Sequence, residues 1–278
     1  MKNISIIIVT WRNDEVLNRC LDSLVGVYRD TLPEIIVVDN GNLVSTKKIV
    51  EQYSCITYVA CKENLGFAGG NNVGLKYVHG DYILLLNDDT IFHSDSIYPL
   101  VDFLEQHASA GIAQGTMVIP GFGLDDCGTE LRIIGIQRHL LRGCDPDSVQ
   151  LIPRKVFAVK GAMLMFKRKV LESVGGFLFY DHFKSYYEET DFCHRAKNAG
   201  WESWFVPTPP IEHLCGATSS RMKKSDVWIQ YIANILFSFK KNFGVGRRLI
   251  TMSLFLVIVL FRFPVFTVKA LILNAKRR

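Results

Sequence analysis

The sequence predicts an α/β protein built on a doubly wound, mostly parallel sheet, and three observations carry that expectation. The continuous apolar runs Ile4 to Val9 and Ile35 to Val38 are rich in β-branched residues and too short for helices. Such runs are strands buried on both faces. Segments with helical spacing separate them, so strand, helix, strand, helix, strand follow one another before residue 61. That is the order a parallel sheet with crossover helices requires. A further buried run, Tyr82 to Leu86, stops abruptly at Asn87-Asp88-Asp89.

Each element has its own signal. Ile4 to Val9 is a central strand, and Asn13 or Asp14 can cap the next helix. Val16, Leu17, Cys20, Leu21 and Leu24 give that helix an apolar face. Pro33 precedes the second strand, which ends at Asp39-Asn40-Gly41. A helix around Thr46 to Tyr53 leads to the strand Ile56 to Ala60. The stretch Asn64 to Asn72 holds three glycines and three asparagines at a helix start. It either lets backbone N–H groups approach a phosphate or is a loop entering a helix. Neither Gly-x-Gly-x-x-Gly nor the Lys-containing P-loop is present there. The helix runs to Val78, and Ser94 to His107 forms another with Ile97, Leu100, Val101 and Leu104 inward. From Gly111 glycines break the pattern, so 111–155 reads as strands and mobile loops, including the aperiodic Leu131 to Leu141. Strand character returns over Val156 to Phe166, followed by a short helix and Gly175-Gly176-Phe177. Phe183 to Cys193 opens a helix ending near Gly200, and Trp204 to Val206 is a strand stopped by Pro207, with His213 just beyond.

In open α/β sheets ligands bind beyond the carboxyl ends of the strands. Asp88 and Asp89 would hang over that edge and repel each other unless a cation sits beside them. Mg²⁺ or Mn²⁺ with a phosphate ligand suits such a site; capping of the next helix is the alternative. Glu188, Glu189 and Asp191 form a second acidic group. At a helix N-terminus Glu188 and Glu189 both reach the sheet edge, where a carboxylate can accept a hydroxyl proton. The alternative is dipole complementation, which also favours their ionised forms. His213 is a third metal-competent residue, or an ordinary loop histidine.

Composition narrows the class. The 278 residues can bury a full core. Apolar content is 49% and net charge +5. No basic stripe interleaved with aromatics occurs, so nucleic acid is not a predicted partner. Seven cysteines without a Cys-x-x-Cys pair argue against a disulfide framework or zinc and for a reducing cytosol. Ile4 to Val9 is too short for a signal peptide. The tail is different. Leu249 to Phe261 is apolar apart from Thr251 and Ser253; Arg262 and Pro264 interrupt; Val265 to Leu273 resumes around Lys269. The first half is too short for a core of about 30 Å, and the whole stretch carries charges. Lys223-Lys224, Lys240-Lys241, Arg247-Arg248 and Lys276-Arg277-Arg278 flank it. An interfacial or re-entrant anchor on an anionic membrane is expected, with a helix pair packed on the domain as the alternative.

Taken in order, these segments resemble the family-2 inverting GT-A glycosyltransferases, especially bacterial rhamnosyltransferase-like members. The residues that carry the resemblance are Ile6 to Trp11, Glu34 to Gly41, Glu63 to Asn72 and Gly80 to Thr90. Further matches are Gly161-Ala162-Met163, Val174 to Phe177, Tyr186 to Cys193, Ala199-Gly200-Trp201 and Ile211-Glu212-His213. The resemblance implies a Rossmann-like GT-A domain whose 1–110 half binds a nucleotide sugar and whose 111–220 half handles acceptor and catalysis, with a helical tail over 221–278. It implies that Asp39 contacts the base or ribose and that Thr10 and Trp11 line that pocket. Asn64, Gly66 and later glycines including Gly70 shape the cleft, with Asp88 beside them. Asp89 is the main metal ligand and His213 a second, for Mg²⁺ or Mn²⁺. Glu189 is the general base, with Glu188 as its neighbour and Asp191 as rival. Two departures stand out: Trp11-Arg12 replaces Tyr-Asn, and Glu188-Glu189 replaces Glu-Asp. The implied activity is transfer of a sugar, rhamnose among the candidates, from a nucleoside diphosphate to a glycan or lipid-linked glycan at the cytoplasmic membrane face, as in O-antigen synthesis. A catalytically silent partner of an assembly complex and a soluble nucleotide-sugar enzyme are the alternatives.

Overall fold

The computed structural model describes residues 2–131, 136–183, 185–215 and 224–242, with short pieces at 252–253, 255–257, 268–269 and 271–272. The first half alternates β1 (Ile4–Thr10), α1 (Asp14–Val27), β2 (Glu34–Asp39), α2 (Val44–Val50), β3 (Ile56–Ala60), α3 (Gly66–Gly74) and β4 (Tyr82–Asn87). A two-residue strand β5 (Thr90–Ile91) and α4 (Tyr98–Gln106) follow. Then come β6 (Ala110–Gln114), β7 (Met117–Ile119), β8 (Gly123–Leu124), β9 (Thr129–Leu131), β10 (Gln137–His139), β11 (Arg154–Val156) and β12 (Met163–Lys167). The remainder is α5 (Arg168–Ser173), α6 (Glu188–Asn198), β13 (Glu202–Phe205), β14 (Ile211–His213) and α7 (Lys224–Asn242).

Eight strands form one sheet in the order β11-β13-β6-β12-β4-β1-β2-β3. The apolar runs alternate between its two faces. Ile7, Ile36, Val38, Ile83 and Leu85 point to one core, beneath α3, α5 and α6. Ile6, Ile8, Ile35, Val37, Leu84 and Leu86 point to the other, beneath α1, α2 and α4. Burial on both faces is why these strands carry no polar alternation. Each such side chain contributes roughly 1.5–3 kcal/mol on burial.

The architecture departs from a purely parallel sheet at β11, which runs antiparallel to β13, and at β12, which runs antiparallel to both β4 and β6. After β6 the chain leaves the carboxyl edge and builds a second sheet, β5-β14-β7-β8. It re-enters the main sheet as β11 and then β12, both running opposite to their neighbours β13, β4 and β6. In the glycine-broken region, read as strands and mobile loops, the first strand is Ala110–Gln114, fully buried in the main sheet.

Local expectations also shift. Neither Asn13 nor Asp14 caps α1: Asn13 makes no side-chain cap there, its amide instead reaching Asp88, and Asp14 accepts from Thr46. Asp88 and Asp89 do not cap α4; Asp95 does, accepting from the Ile97 and Tyr98 N–H groups at 3.0 Å. The middle of α7, Ile232 to Phe239, is buried all round. It packs with Tyr187 and Phe255, so this part of the tail is a docked helix. Among the described residues no helix is long and apolar enough to cross a membrane. Most of Leu249 to Leu273, the outer basic clusters and the middle of Leu131 to Leu141 lie outside the described residues.

The glycines of α3 bring it close to β1. A Cβ on Gly74 would stand 2.5 Å from Ile7 Cγ2 and 3.1 Å from Val38 Cγ2. On Gly26 in α1 it would meet nothing within 4 Å. Gly74→Ala should therefore lower the thermal midpoint by several degrees, because overpacking costs about 1–3 kcal/mol and each kcal/mol is worth roughly 2–4 °C in a chain this size. Gly26→Ala should raise it slightly through helix propensity. Differential scanning calorimetry of the two variants distinguishes close packing from mere helix preference.

Candidate active site

The acids stand where β4 runs out at the carboxyl edge of the sheet. Asp88 is buried and accepts from Thr10 Oγ1 at 2.7 Å and Asn13 Nδ2 at 3.4 Å. Burial, with the charge of Asp89 second, raises its pKa to about 7. The next two residues are β5, which pairs antiparallel with β14 so that His213 faces Thr90. Leu214 N–H donates to Asp89 O at 2.9 Å. This pairing sets His213 Nε2 3.2 Å from Asp89 Oδ1. His213 is thus a buried strand residue, 4% exposed.

The other ring nitrogen has its own partner. His213 Nδ1–H donates to Asp125 Oδ2 at 2.7 Å, and Cys215 Sγ lies 3.2 Å from the same nitrogen. Burial alone would lower the imidazole pKa. The bonds to Asp125, Asp89 and Cys215 outweigh it and raise the value to about 11. Asp125, in turn, accepts from Lys160 Nζ at 2.6 Å and from Arg142. It is penalised by burial, but His213 and Lys160 hold its carboxyl far below the ordinary range. Sequence reasoning missed Asp125, Lys160 and Arg142. Asp125-Asp126 follows no apolar run, so the pair carries no strand-end signal, and its place beside His213 arises from the second sheet.

Facing this cluster is the start of α6. Glu188 is buried, and its Oε2 has no hydrogen-bond partner. Glu189 is half-buried, and both line the cleft. The helix dipole, expected to favour their ionised forms, is opposed by burial. Burial pushes Glu188 well above its ordinary range, and Glu189's charge adds to the rise. Burial also raises Glu189, against the opposing charges of His139 and Lys160. Loss of hydration outweighs the fraction of a charge that a helix end supplies. Both residues follow Tyr186 and Tyr187, two successive non-glycine residues at φ 72° and 75°. Each such conformation costs about 1–3 kcal/mol and persists where surrounding structure imposes it. Asp191 is not a rival base. It is fully buried, paired with Arg195 Nε at 2.9 Å, and accepts from Ser238 and Asn242 of α7.

A cleft of about 770 Å³ joins these groups. At its other end Thr10, Trp11, Asn64 and Gly66 are present as expected from their motifs, with Asn40 and Phe67 added. Asp39 is absent from the lining. Its carboxylate accepts from the Gly41, Asn42 and Leu43 N–H groups and from Tyr58 Oη, so it braces the loop after β2. Asn40 takes the cleft-facing place, donating to Gly66 O at 2.9 Å. Gly70 is also absent from the lining: a Cβ there would strike Val9 Cγ1 at 2.5 Å, so this glycine serves close helix–strand packing.

The residues fit a divalent cation. Asp89 Oδ1 is buried and receives no well-aligned hydrogen bond; its ion-pair contact is with an imidazole nitrogen 3.2 Å away. Adjacent donors on an ion with ligand distances near 2.1 Å stand about 3 Å apart. Asp125 orients the ring from behind, as carboxylates do for metal-binding histidines.

The sequence model of glycosyl transferase family 2 matches residues 5–175. A curated relative, the low-salt glycan biosynthesis hexosyltransferase of Haloferax volcanii, is 27% identical over 205 residues, covering 71% of this chain and 62% of its own length. The chain spans less than two thirds of the length of this and other curated relatives. Among solved structures, GalNAc-T7 with UDP, GalNAc and Mn²⁺ superposes with TM-score 0.64 at 14% identity, over 84% of this chain and 48% of that one. The mannosyltransferase of Pyrobaculum calidifontis with GDP-Man and Mn²⁺ gives 0.59 at 14% identity, over 99% and 75%. These likenesses establish a GT-A-like fold.

The buried Glu188 makes stability pH-dependent. Its folded pKa lies above the ordinary 4.5, so the folded state holds a proton that the unfolded chain releases. Stability is thus lost as pH rises from about 4.5 towards the folded value, at up to about 1.4 kcal/mol per pH unit. Glu188→Gln removes the titration. The midpoint of the variant relative to wild type should rise progressively as pH increases above about 4.5 in thermal melts; a constant offset would assign Glu188 an unshifted folded state.

Proposed function

Because the chain belongs to glycosyl transferase family 2, we propose that it moves a sugar, with inversion, from a nucleoside diphosphate to a hydroxyl of a glycan or lipid-linked glycan. One observation carries this reading: a single cleft is lined by the buried Asp89–His213 pair and by the acids of α6. The 1–110 half supplies the donor end and the 111–220 half the acceptor end. Rhamnose is a candidate sugar, and surface polysaccharide of the O-antigen kind a candidate product.

Trp11 and Asn40 receive the base end of the donor, and Asn64 with the α3 entrance lies along its diphosphate. Asp89 and His213 Nε2 would hold Mg²⁺ or Mn²⁺, the ion displacing the proton that the acidic neighbours otherwise keep on the ring. A bound divalent ion there offsets the charge that develops on the departing diphosphate. Lys160 and Arg142 add positive charge at the same edge. Glu189 takes the acceptor proton as the hydroxyl attacks the anomeric carbon from the face opposite the leaving group. Its raised pKa makes it a stronger base than a solvated carboxylate, and the charges of Lys160 and His139 keep it deprotonatable. Glu188 shapes the pocket beside it.

The tail completes the proposal. Exposed Val257, Val268 and Ile272, with the flanking basic clusters, suit the anionic inner face of a cytoplasmic membrane.

A screen of nucleotide sugars with Mn²⁺, read by product formation, tests the activity and separates it from a silent partner. Glu189→Gln should lower kcat about 10²–10⁴-fold with little change in donor KM, and Glu188→Gln should lower it less. Asp89→Ala should abolish Mn²⁺-dependent donor binding measured by calorimetry while the protein stays folded; binding that survives would remove Asp89 from the ligand set. Sedimentation with anionic vesicles should weaken with salt, since each basic residue near the surface is worth about 1 kcal/mol.

A further inference from the structure

Helix α7 carries a polar stripe along a buried face. Gln230, Asn234, Ser238 and Asn242 recur every fourth residue, which keeps them on one side of a helix. Their neighbours Ile232, Ala233, Ile235, Leu236 and Phe239 are apolar and buried. Burying polar side chains gains little stability over apolar ones, so the stripe needs another reason. The members face the cleft, the turn before α6 or α6 itself. Gln230 lines the cleft. Asn234, fully buried, donates through Nδ2 to Ser185 O at 2.9 Å and Tyr186 O at 2.6 Å. Ser238 and Asn242 donate to Asp191 Oδ1 at 2.9 Å and 2.6 Å.

Asn234 therefore grips the carbonyl just before the left-handed turn and the one inside it. Tyr186 and Tyr187 hold φ of 72° and 75°, and no side-chain cap at Tyr187 supports that shape from within α6. The Tyr187 ring is enclosed by the same helix, its centroid 5.9 Å from that of Tyr231. Glu188 and Glu189 follow immediately, and the direction of their side chains depends on this turn.

We propose that α7 is a positioning element for the reaction, with the Asn234 amide holding the Ser185–Tyr187 turn so that Glu188 and Glu189 enter the cleft. The inference rests on the proposed glycosyl transfer. Asn234 acts through the backbone and touches no reacting atom.

Asn234→Asp keeps shape but sets a carboxylate against two carbonyl oxygens; Asn234→Ala removes the donors. Both should lower kcat about 10–100-fold, as expected for displacement by a fraction of an ångström to one ångström, with donor KM within about twofold. Hydrogen exchange at residues 186–189 should accelerate in both, with α4 unchanged. Leu104→Ala, which opens a cavity beneath the opposite face, is the stability control: it should lower the thermal midpoint and leave kcat per folded molecule unchanged. Unaltered exchange at 186–189, or a kcat loss matched by Leu104→Ala at equal midpoint, overturns the proposal. A wild-type protein that transfers no sugar overturns the glycosyl-transfer reading and the catalytic role of Asn234 with it, whereas exchange would still report whether Asn234 holds the turn.

Discussion

The pairing of Thr90 and Ile91 with Glu212 and His213 is the constraint on which the site depends. It is only two residues long on each side, yet it joins the end of the central strand to the last strand of the domain. Without it Asp89 would face another carboxylate and a hydration shell. With it, the ring of His213 comes within 3.2 Å of Asp89 and turns its second nitrogen to Asp125. Asp125 is then held by Lys160 and Arg142 from a different part of the chain. The acids of β4 are tolerable in a buried place because this array supplies the opposite charge. β14 can reach β5 because β7 offers it a parallel neighbour.

Electrostatics and strain meet at α6. A helix N-terminus favours anions by a few tenths of a kcal/mol to about 1 kcal/mol at an exposed position. Enclosure of a carboxyl costs several times more unless donors replace the lost water. Glu188 Oε2 has no such donor, so burial wins. The first turn of α6 is therefore an uncomfortable structure, approached through two left-handed tyrosines and stabilised from outside by α7. Asp191, one turn further on, sits in the opposite condition: Arg195, Ser238 and Asn242 satisfy it. Three acids within four positions thus have separate physical roles, and hydrogen bonding, not sequence spacing, divides them.

Much of this protein was already determined by its sequence. Buried parallel strands announce themselves because both faces must be apolar, so β1, β2 and β4 were legible to within a residue or two from runs such as Ile4 to Val9. The acidic strand end at Asp88-Asp89, the glycine-rich start of α3 and the paired acids of α6 were legible for the same reason: local chemistry sets them apart from their neighbours. What tertiary structure alone decided is which of these groups face one another. Asp39 and Gly70 carry motif signals, but backbone donors claim the first and the Val9 side chain crowds the second. Asp125, Lys160 and Asn234 carry no local signal and still join the site, because their partners lie far away in the chain. Burial and pairing are properties of the folded packing, and a sequence pattern reports them only when the same residues also shape the local backbone.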